Sequence, residues 1–274
     1  MGRKTLPGFG LSMGITVAWL SALVLLPLAA LAWKAAAQAP AAWAAQILSR
    51  RTAHALLLSF GGASLAALID TVLGLLLAWV LVRYRFPTRR LCDALIDLPF
   101  ALPTAVAGIA LTALYAPTGW IGRLLKPLGV QVAYTPLGVL LAMVFVGLPF
   151  VVRTLQPVLE SLGHEVEEAA RTLGASRWQR FRRVLMPLLT PTLLTGFALA
   201  LARAAGEYGS VIYLSGNLPM RTEIVPLLIV QQIDSGGDTG PAAVLGALML
   251  IFSLLALLLI HRLQAWSSRW RKAN

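Results

Sequence analysis

Six apolar stretches, separated by shorter polar ones, decide most of what this chain can fold into. Residues 11–33, 55–82, 95–116, 136–152, 188–205 and 241–260 hold three charged side chains between them, Asp70, Asp97 and Arg203. The first stretch is 23 residues long. At about 1.5 Å of rise per residue, a helix of that length covers the ~30 Å hydrocarbon core of a bilayer. No water is available there, so each backbone N–H and C=O must be bonded within its own segment, which favours helices. The predicted fold class is therefore an all-α polytopic membrane protein with about six transmembrane helices. A seventh crossing within residues 208–230 is the alternative.

Composition agrees. Only 12% of the 274 residues are charged and 58% are hydrophobic, with mean hydropathy +0.77. Soluble domains carry roughly 25% charge, so the chain is expected in contact with membrane lipid. The net charge is +12, which in a soluble protein would point to nucleic acid. Here the basic residues flank the apolar runs, as the positive-inside rule requires, and no nucleic acid is expected. With the N-terminus in the cytoplasm and six spans, cytoplasmic segments hold 16 of the 23 lysines and arginines, the outside holds six, and Arg203 lies within a span. A seventh crossing would put the basic tail outside, against that rule.

The chain then divides into a cytoplasmic N-terminus (1–10), a first transmembrane helix (11–33), a transmembrane domain (55–260) with a cytoplasmic loop at 153–187, and a basic cytoplasmic tail (261–274). A cleavable signal peptide is the competing reading of 11–33. A signal core is only about 7–15 residues long, so a retained span is expected. Trp33 and Trp43 are candidate interfacial anchors. The single cysteine, Cys92, excludes an intramolecular disulfide. His54, His164 and His261 lack zinc-ligand spacing, so no metal site is expected.

No G-x-x-x-x-G-K-[ST], G-x-S-x-G or H-E-x-x-H pattern occurs, so the chain has no P-loop and no catalytic residues are assigned. An ionisable residue inside a span costs about 2.5–3.5 kcal/mol on insertion scales, so each needs a reason. Asp70 falls mid-span, where a buried helix–helix contact or ion binding would explain it. Arg203 and Glu207, four apart, either neutralise each other on one helix or turn Arg203 toward an anion path. Pro99-x-x-x-Pro103-Thr104 recurs as Pro187-x-x-x-Pro191-Thr192. Proline is tolerated in the first turn of a helix, but broken helix starts would also leave backbone groups lining a cavity. Pro99, Pro103, Thr104, Arg203 and Glu207 are the candidate path residues.

The only long charged interval inside the apolar part is 168–187, EAARTLGASRWQRFRRVLMP. Glu165, Glu167 and Glu168 open a short helix and Arg171 stands near its end, an order that suits the helix dipole. Glu167 and Arg171 are spaced for an acid-first pair. Ala169 and Ala170 keep one face small, Gly174 can end the helix with positive φ, and Ser176 with Gln179 forms a capping box. Pro187 closes the stretch. The expectation is a helix-turn-helix on the membrane surface, presenting a small-residue knob.

Glu168-Ala169-Ala170, three residues, Gly174, nine residues, then Val184-Leu185-Met186-Pro187 resembles the EAA loop of ABC-importer permeases, with Val184 and Met186 departing conservatively from Ile and Leu. The resemblance extends over nearly the whole chain. Leu6-Pro7-Gly8-Phe9, Arg83-Tyr84-Arg85-Phe86-Pro87, the segments beginning Asp97-Leu98-Pro99 and Pro149-Phe150-Val151, Gly206-Glu207-Tyr208-Gly209 and Gly216-Asn217 are similar to the T-type permeases of sulfate/thiosulfate ABC importers. The resemblance implies a type I ABC-importer-like permease in a bacterial inner membrane. It implies pairing with a second, similar permease in a heterodimer, two ATPase subunits carrying ATP and Mg, and a periplasmic sulfate-binding protein. Glu168, Ala169, Ala170, Gly174 and Pro187 would belong to the ATPase-coupling loop. Molybdate or tungstate is the alternative cargo, and an ion-coupled secondary transporter the alternative class.

Overall fold

The computed structural model describes residues 8–163, 165–236 and 239–273, with side chains described up to 265. Arg3, Lys4, Leu6, Pro7, His164 and Gly237 lie outside those residues, as do the side chains of Arg269, Arg271 and Lys272. Among the described residues all regular structure is helical.

Helix α1 (Phe9–Ala36) is followed by α2 (Pro40–Ile47) and the long α3 (Arg50–Arg83). Ser49 caps α3, its side chain accepting from Thr52 N–H at 3.4 Å. Two short helices follow, α4 (Arg89–Ile96) and α5 (Leu98–Ala101). The chain is extended at Leu102 and Pro103 before α6 (Thr104–Tyr115) and α7 (Trp120–Leu125). Then come α8 (Pro136–Ser161), α9 (Glu165–Thr172), α10 (Arg177–Ala205), α11 (Gly209–Ser215), α12 (Val225–Asp234) and α13 (Gly240–Ala273). Six helical stretches among the described residues are long and apolar enough to cross a membrane: α1, α3, Thr104–Leu128, α8, α10 and Gly240–Ala265. The seventh crossing does not form. Residues 208–230 hold α11 and the start of α12, of 7 and 10 residues, or roughly 10 and 15 Å.

Several boundaries differ from expectation: α8 runs on to Ser161 and α13 to Ala273, past the expected ends at 152 and 260. The third apolar run is spread over the end of α4, α5 and α6, and its break at Leu102 arises because the residue before Pro103 is pushed out of the helical region. The fifth run is longer than expected, since α10 starts at Arg177 and passes through a π turn at Arg180–Leu185 without a break. That wider turn holds Arg183, whose carbonyl an α-helix would drive against the Pro187 ring. A π turn at Ser21–Leu25 stands in the same relation to Pro27. Pro187 therefore lies inside a continuous helix and closes nothing. The proline echo fails with it: Pro103 marks a break and Pro191 sits within a helix.

The core is the junction of α3, α8 and α10. Val151 of α8 is fully buried there, between Gly74 of α3 and Gly196 of α10. A methyl group on Gly74 would lie 2.6 Å from Val151 Cγ1, and one on Gly196 3.2 Å from Val151 Cα. Lipid tails are as apolar as leucine, so such helices gain by close van der Waals contact, which small residues permit. By contrast α1 is exposed over nearly all its length and meets the rest near its C-terminus, where Lys34 bonds Thr239.

The bundle has two polar ends. At one, Arg83 at the end of α3 donates to the Gly163 carbonyl beyond α8. At the other, Arg51 at the start of α3 meets Glu223, and Tyr134 N–H donates to Leu214 at 2.9 Å. So α3 and α8 run in the same direction and α10 runs against them.

Candidate coupling surface and polar sites within the bundle

At the Arg83 end, α9 and the first turn of α10 form the expected hairpin. The three acids occupy the first turn of α9 and Arg171 the last. Gly174 has φ +82°, and its N–H donates to Arg171 O at 2.9 Å. Ser176 and Gln179 form the reciprocal capping box, Ser176 N–H to Gln179 Oε1 at 2.8 Å and Gln179 N–H to Ser176 Oγ at 3.3 Å. Glu168, Ala169, Gly174 and Pro187 are exposed and Ala170 is half-buried. Nothing lies within 4 Å of the space a side chain at Gly174 would enter. Leu173 and Trp178 are 88% and 65% exposed. One expected contact is replaced: Glu167 pairs with Arg83, at 2.9 Å, and not with Arg171. Arg83 comes from a distant helix, and local spacing gives no sign of it.

Arg153 holds α4 to α8. Its guanidinium donates to Asp93 Oδ1 at 2.6 Å, to Asp97 at 2.7 and 2.5 Å, and to Gln156 Oε1 at 2.6 Å. Asp97 is thus one arm of an ion-pair clamp. Burial raises the Asp93 carboxyl, but hydrogen bonds from Arg153 and Gln156 and the charges of Arg153 and Arg89 outweigh it and hold the group below its ordinary range.

Inside the bundle the chain is broken twice, at Leu102 and Pro103 and again between α10 and α11, and the breaks meet. Gly108 packs against the Ser210 backbone, and Gly209 against the Thr104 hydroxyl. Between them Glu207, 1% exposed, accepts from Ser210 N–H and Oγ at 2.9 and 3.0 Å and from Arg203 at 2.5 Å. The carboxylate caps α11 and neutralises Arg203, whose side chain remains 31% exposed. Thr104, Glu207 and Arg203 therefore belong to one neighbourhood. Pro103 is exposed beside it, while Pro99 lines a separate groove with Cys92, Ile96 and Phe145.

Asp70 is fully buried against Gly147, with no hydrogen-bond partner among the described residues. A fourth polar group was not legible beforehand. Arg51 bonds Glu223 through both carboxylate oxygens, at 2.7 and 2.5 Å, and Gln231 at 2.6 Å. No group of His, Cys, Asp and Glu that could hold a metal occurs among the described residues.

Residues 70–270 match the family described as binding-protein-dependent transport system inner membrane component. The chain is 48% identical over 251 residues to the probable sulfate transport system permease protein cysT of Nephroselmis olivacea, covering 92% of this chain and 88% of that one. It is 45% identical over 263 residues to the sulfate transport system permease protein CysT of Escherichia coli K12, covering 96% and 95%. In fold it is similar to a chain of a bacterial alginate ABC transporter solved in complex with an alginate pentasaccharide-bound periplasmic protein. The TM-score is 0.73 at 17% identity, over 91% of both chains.

Proposed function

The chain belongs to the binding-protein-dependent transport system inner membrane component family, and we propose that within it this chain is the membrane-spanning permease subunit of an ATP-driven importer of sulfate and thiosulfate. The observation that carries the reading is the α9 hairpin. It exposes Glu168, Ala169 and an unobstructed Gly174 turn at the end of a six-span bundle. The high identity to sulfate permeases supports the choice of cargo.

The permease works with a second, similar permease, two ATPase subunits and a periplasmic sulfate-binding protein, in a bacterial inner membrane with its N-terminus in the cytoplasm. ATP and Mg are bound by the ATPase subunits. Their closure moves α9, and the spans alternate between inward-open and outward-open arrangements. A differential binding free energy of a few kcal/mol between the two states suffices to shift such an equilibrium. Thr104, Arg203 and Glu207 stand where two helices break, and broken helices place polar backbone beside a water-filled path. Coupling through an ion gradient is the weaker reading, since Asp70 is sealed among helices and Glu207 is occupied by Arg203 and Ser210.

The test is labelled sulfate uptake into cells lacking and then regaining this chain, its partner subunits present, with thiosulfate and molybdate as competitors. Restored uptake that thiosulfate blocks is expected. No restoration at normal membrane levels would rule out sulfate and move the cargo to molybdate or tungstate. Gly174→Asp and Glu168→Lys are expected to abolish uptake while leaving the chain in the membrane, and wild-type uptake in both would sink the coupling role.

A further inference from the structure

Helix α9 has only 8 residues and hangs between two turns with positive φ, at Gly163 and Gly174. A helix that short is marginal by itself. With a glycine joint near each end it would pivot when pushed, unless a third point held it. The structure supplies one. Arg83, 8% exposed, is the last residue of α3. Its Nη1 donates to Gly163 O at 2.9 Å and its Nη2 lies 2.9 Å from Glu167 Oε1. The same guanidinium sits 5.5 Å from the centre of the Trp79 ring. Trp79 meets Phe181 edge-on at 6.3 Å, and Phe181 stacks on Trp178 at 5.8 Å. One cation and three rings thus join the end of α3, the exit from α8, helix α9 and the first turns of α10.

We propose that Arg83 is a positioning residue that makes α9 move as one body with the ends of α3 and α8, so that displacement of the hairpin reaches the spans. The proposal rests on the reading of α9 as the coupling helix and adds the means of transmission. Glu167 and Glu168 are neighbours with opposite duties: Glu168 is exposed for a partner, while Glu167 is turned inward and 20% exposed. The chemistry requires arginine. A guanidinium presents several donors in a fixed plane and stacks on an aromatic face, so it serves a carbonyl, a carboxylate and a ring together. A lysine ammonium has neither that fixed plane nor a face to stack.

Two measurements on the assembled transporter in lipid vesicles decide it. In the first, spin labels replace Val80 and Thr172 in a Cys92→Ser background, and their distance distribution is recorded without substrate. Arg83→Gln and Glu167→Gln are expected to broaden it. Arg83→Lys, which keeps the charge without the planar fork, is expected to broaden it less. An unchanged width in both glutamine variants overturns the proposal, whatever the cargo proves to be. In the second, sulfate uptake and ATP hydrolysis are read on the same vesicles. Uptake per ATP is expected to fall about ten-fold in Arg83→Gln, as loss of one partner leaves the other uncompensated, with hydrolysis retained. Arg83→Lys should be intermediate. A wild-type ratio in Arg83→Gln would equally refute the role. If the wild-type complex moves no sulfate, the cargo assignment fails and the label distances still judge the clamp.

Discussion

Asp70 and Glu207 are both buried carboxyls, and they differ in company. Glu207 receives Arg203, Ser210 N–H and Ser210 Oγ, whereas Asp70 has no hydrogen-bond partner among the described residues. Both stood out in the sequence as charges within or beside an apolar run. The spacing of four already offers Arg203 as the partner of Glu207, and that pair forms. Ser210 gives no such sign, because only the break after Ala205 brings it round, and the Asp70 environment is set only by packing of α3 on α8. The physical consequence is an opposite response to neutralisation. Glu207→Gln removes a charge-assisted bond and leaves Arg203 unpaired, which should cost about 2 kcal/mol. Asp70→Asn removes a potential charge that nothing compensates. Thermal unfolding in detergent is expected to fall for Glu207→Gln and to be no lower than wild type for Asp70→Asn. A drop of several degrees for Asp70→Asn would mean that the carboxyl has a partner in the membrane.

At the scale of elements, the α9 hairpin was the most legible part of the chain. Its cap and its turn glycine are local in sequence and form as read, and the acids stand in its first turn, although Glu167 pairs with Arg83 and not with Arg171. Helix α4 was not legible as a separate element, because its anchor, Arg153, lies 60 residues from Asp93 along the chain. That clamp has a pH dependence of definite sign. The folded Asp93 carboxyl lies below its ordinary value, so it stabilises α4 on α8 above the unfolded value. The contribution is lost as pH falls through the folded one. Backbone amide protection over α4, corrected for intrinsic exchange, should hold between about pH 8 and 5 and decline only below about pH 4. Asp93→Asn should lower protection at neutral pH and flatten that profile. A decline centred near pH 6 would show that another group governs the clamp.

For the whole molecule, the six spans follow from hydropathy, but their arrangement is set by where small residues let helices touch. Val151 wedged between Gly74 and Gly196 holds the α3–α8–α10 junction. Gly74→Val would drive side-chain carbon into Val151 Cγ1, a contact that overpacking studies place at about 1–3 kcal/mol of destabilisation. Thermal unfolding should drop for Gly74→Val and recover in part when Val151→Ala makes room. An unchanged midpoint in the single variant would remove the junction from its central place.

The sequence by itself determined the membrane class, the helical fold, the number of spans and the α9 hairpin. Each depends on the composition or spacing of residues close together along the chain, where a bilayer and a helical repeat leave few alternatives. Only the tertiary structure decided that α10 runs unbroken past Pro187, that the breaks before α6 and α11 meet, and which charges pair. Arg83 with Glu167, Arg153 with Asp93 and Asp97, and Arg51 with Glu223 join residues far apart along the chain. In uniformly apolar spans no periodicity reports the rotation of a helix about its axis, so such partners are chosen by packing alone.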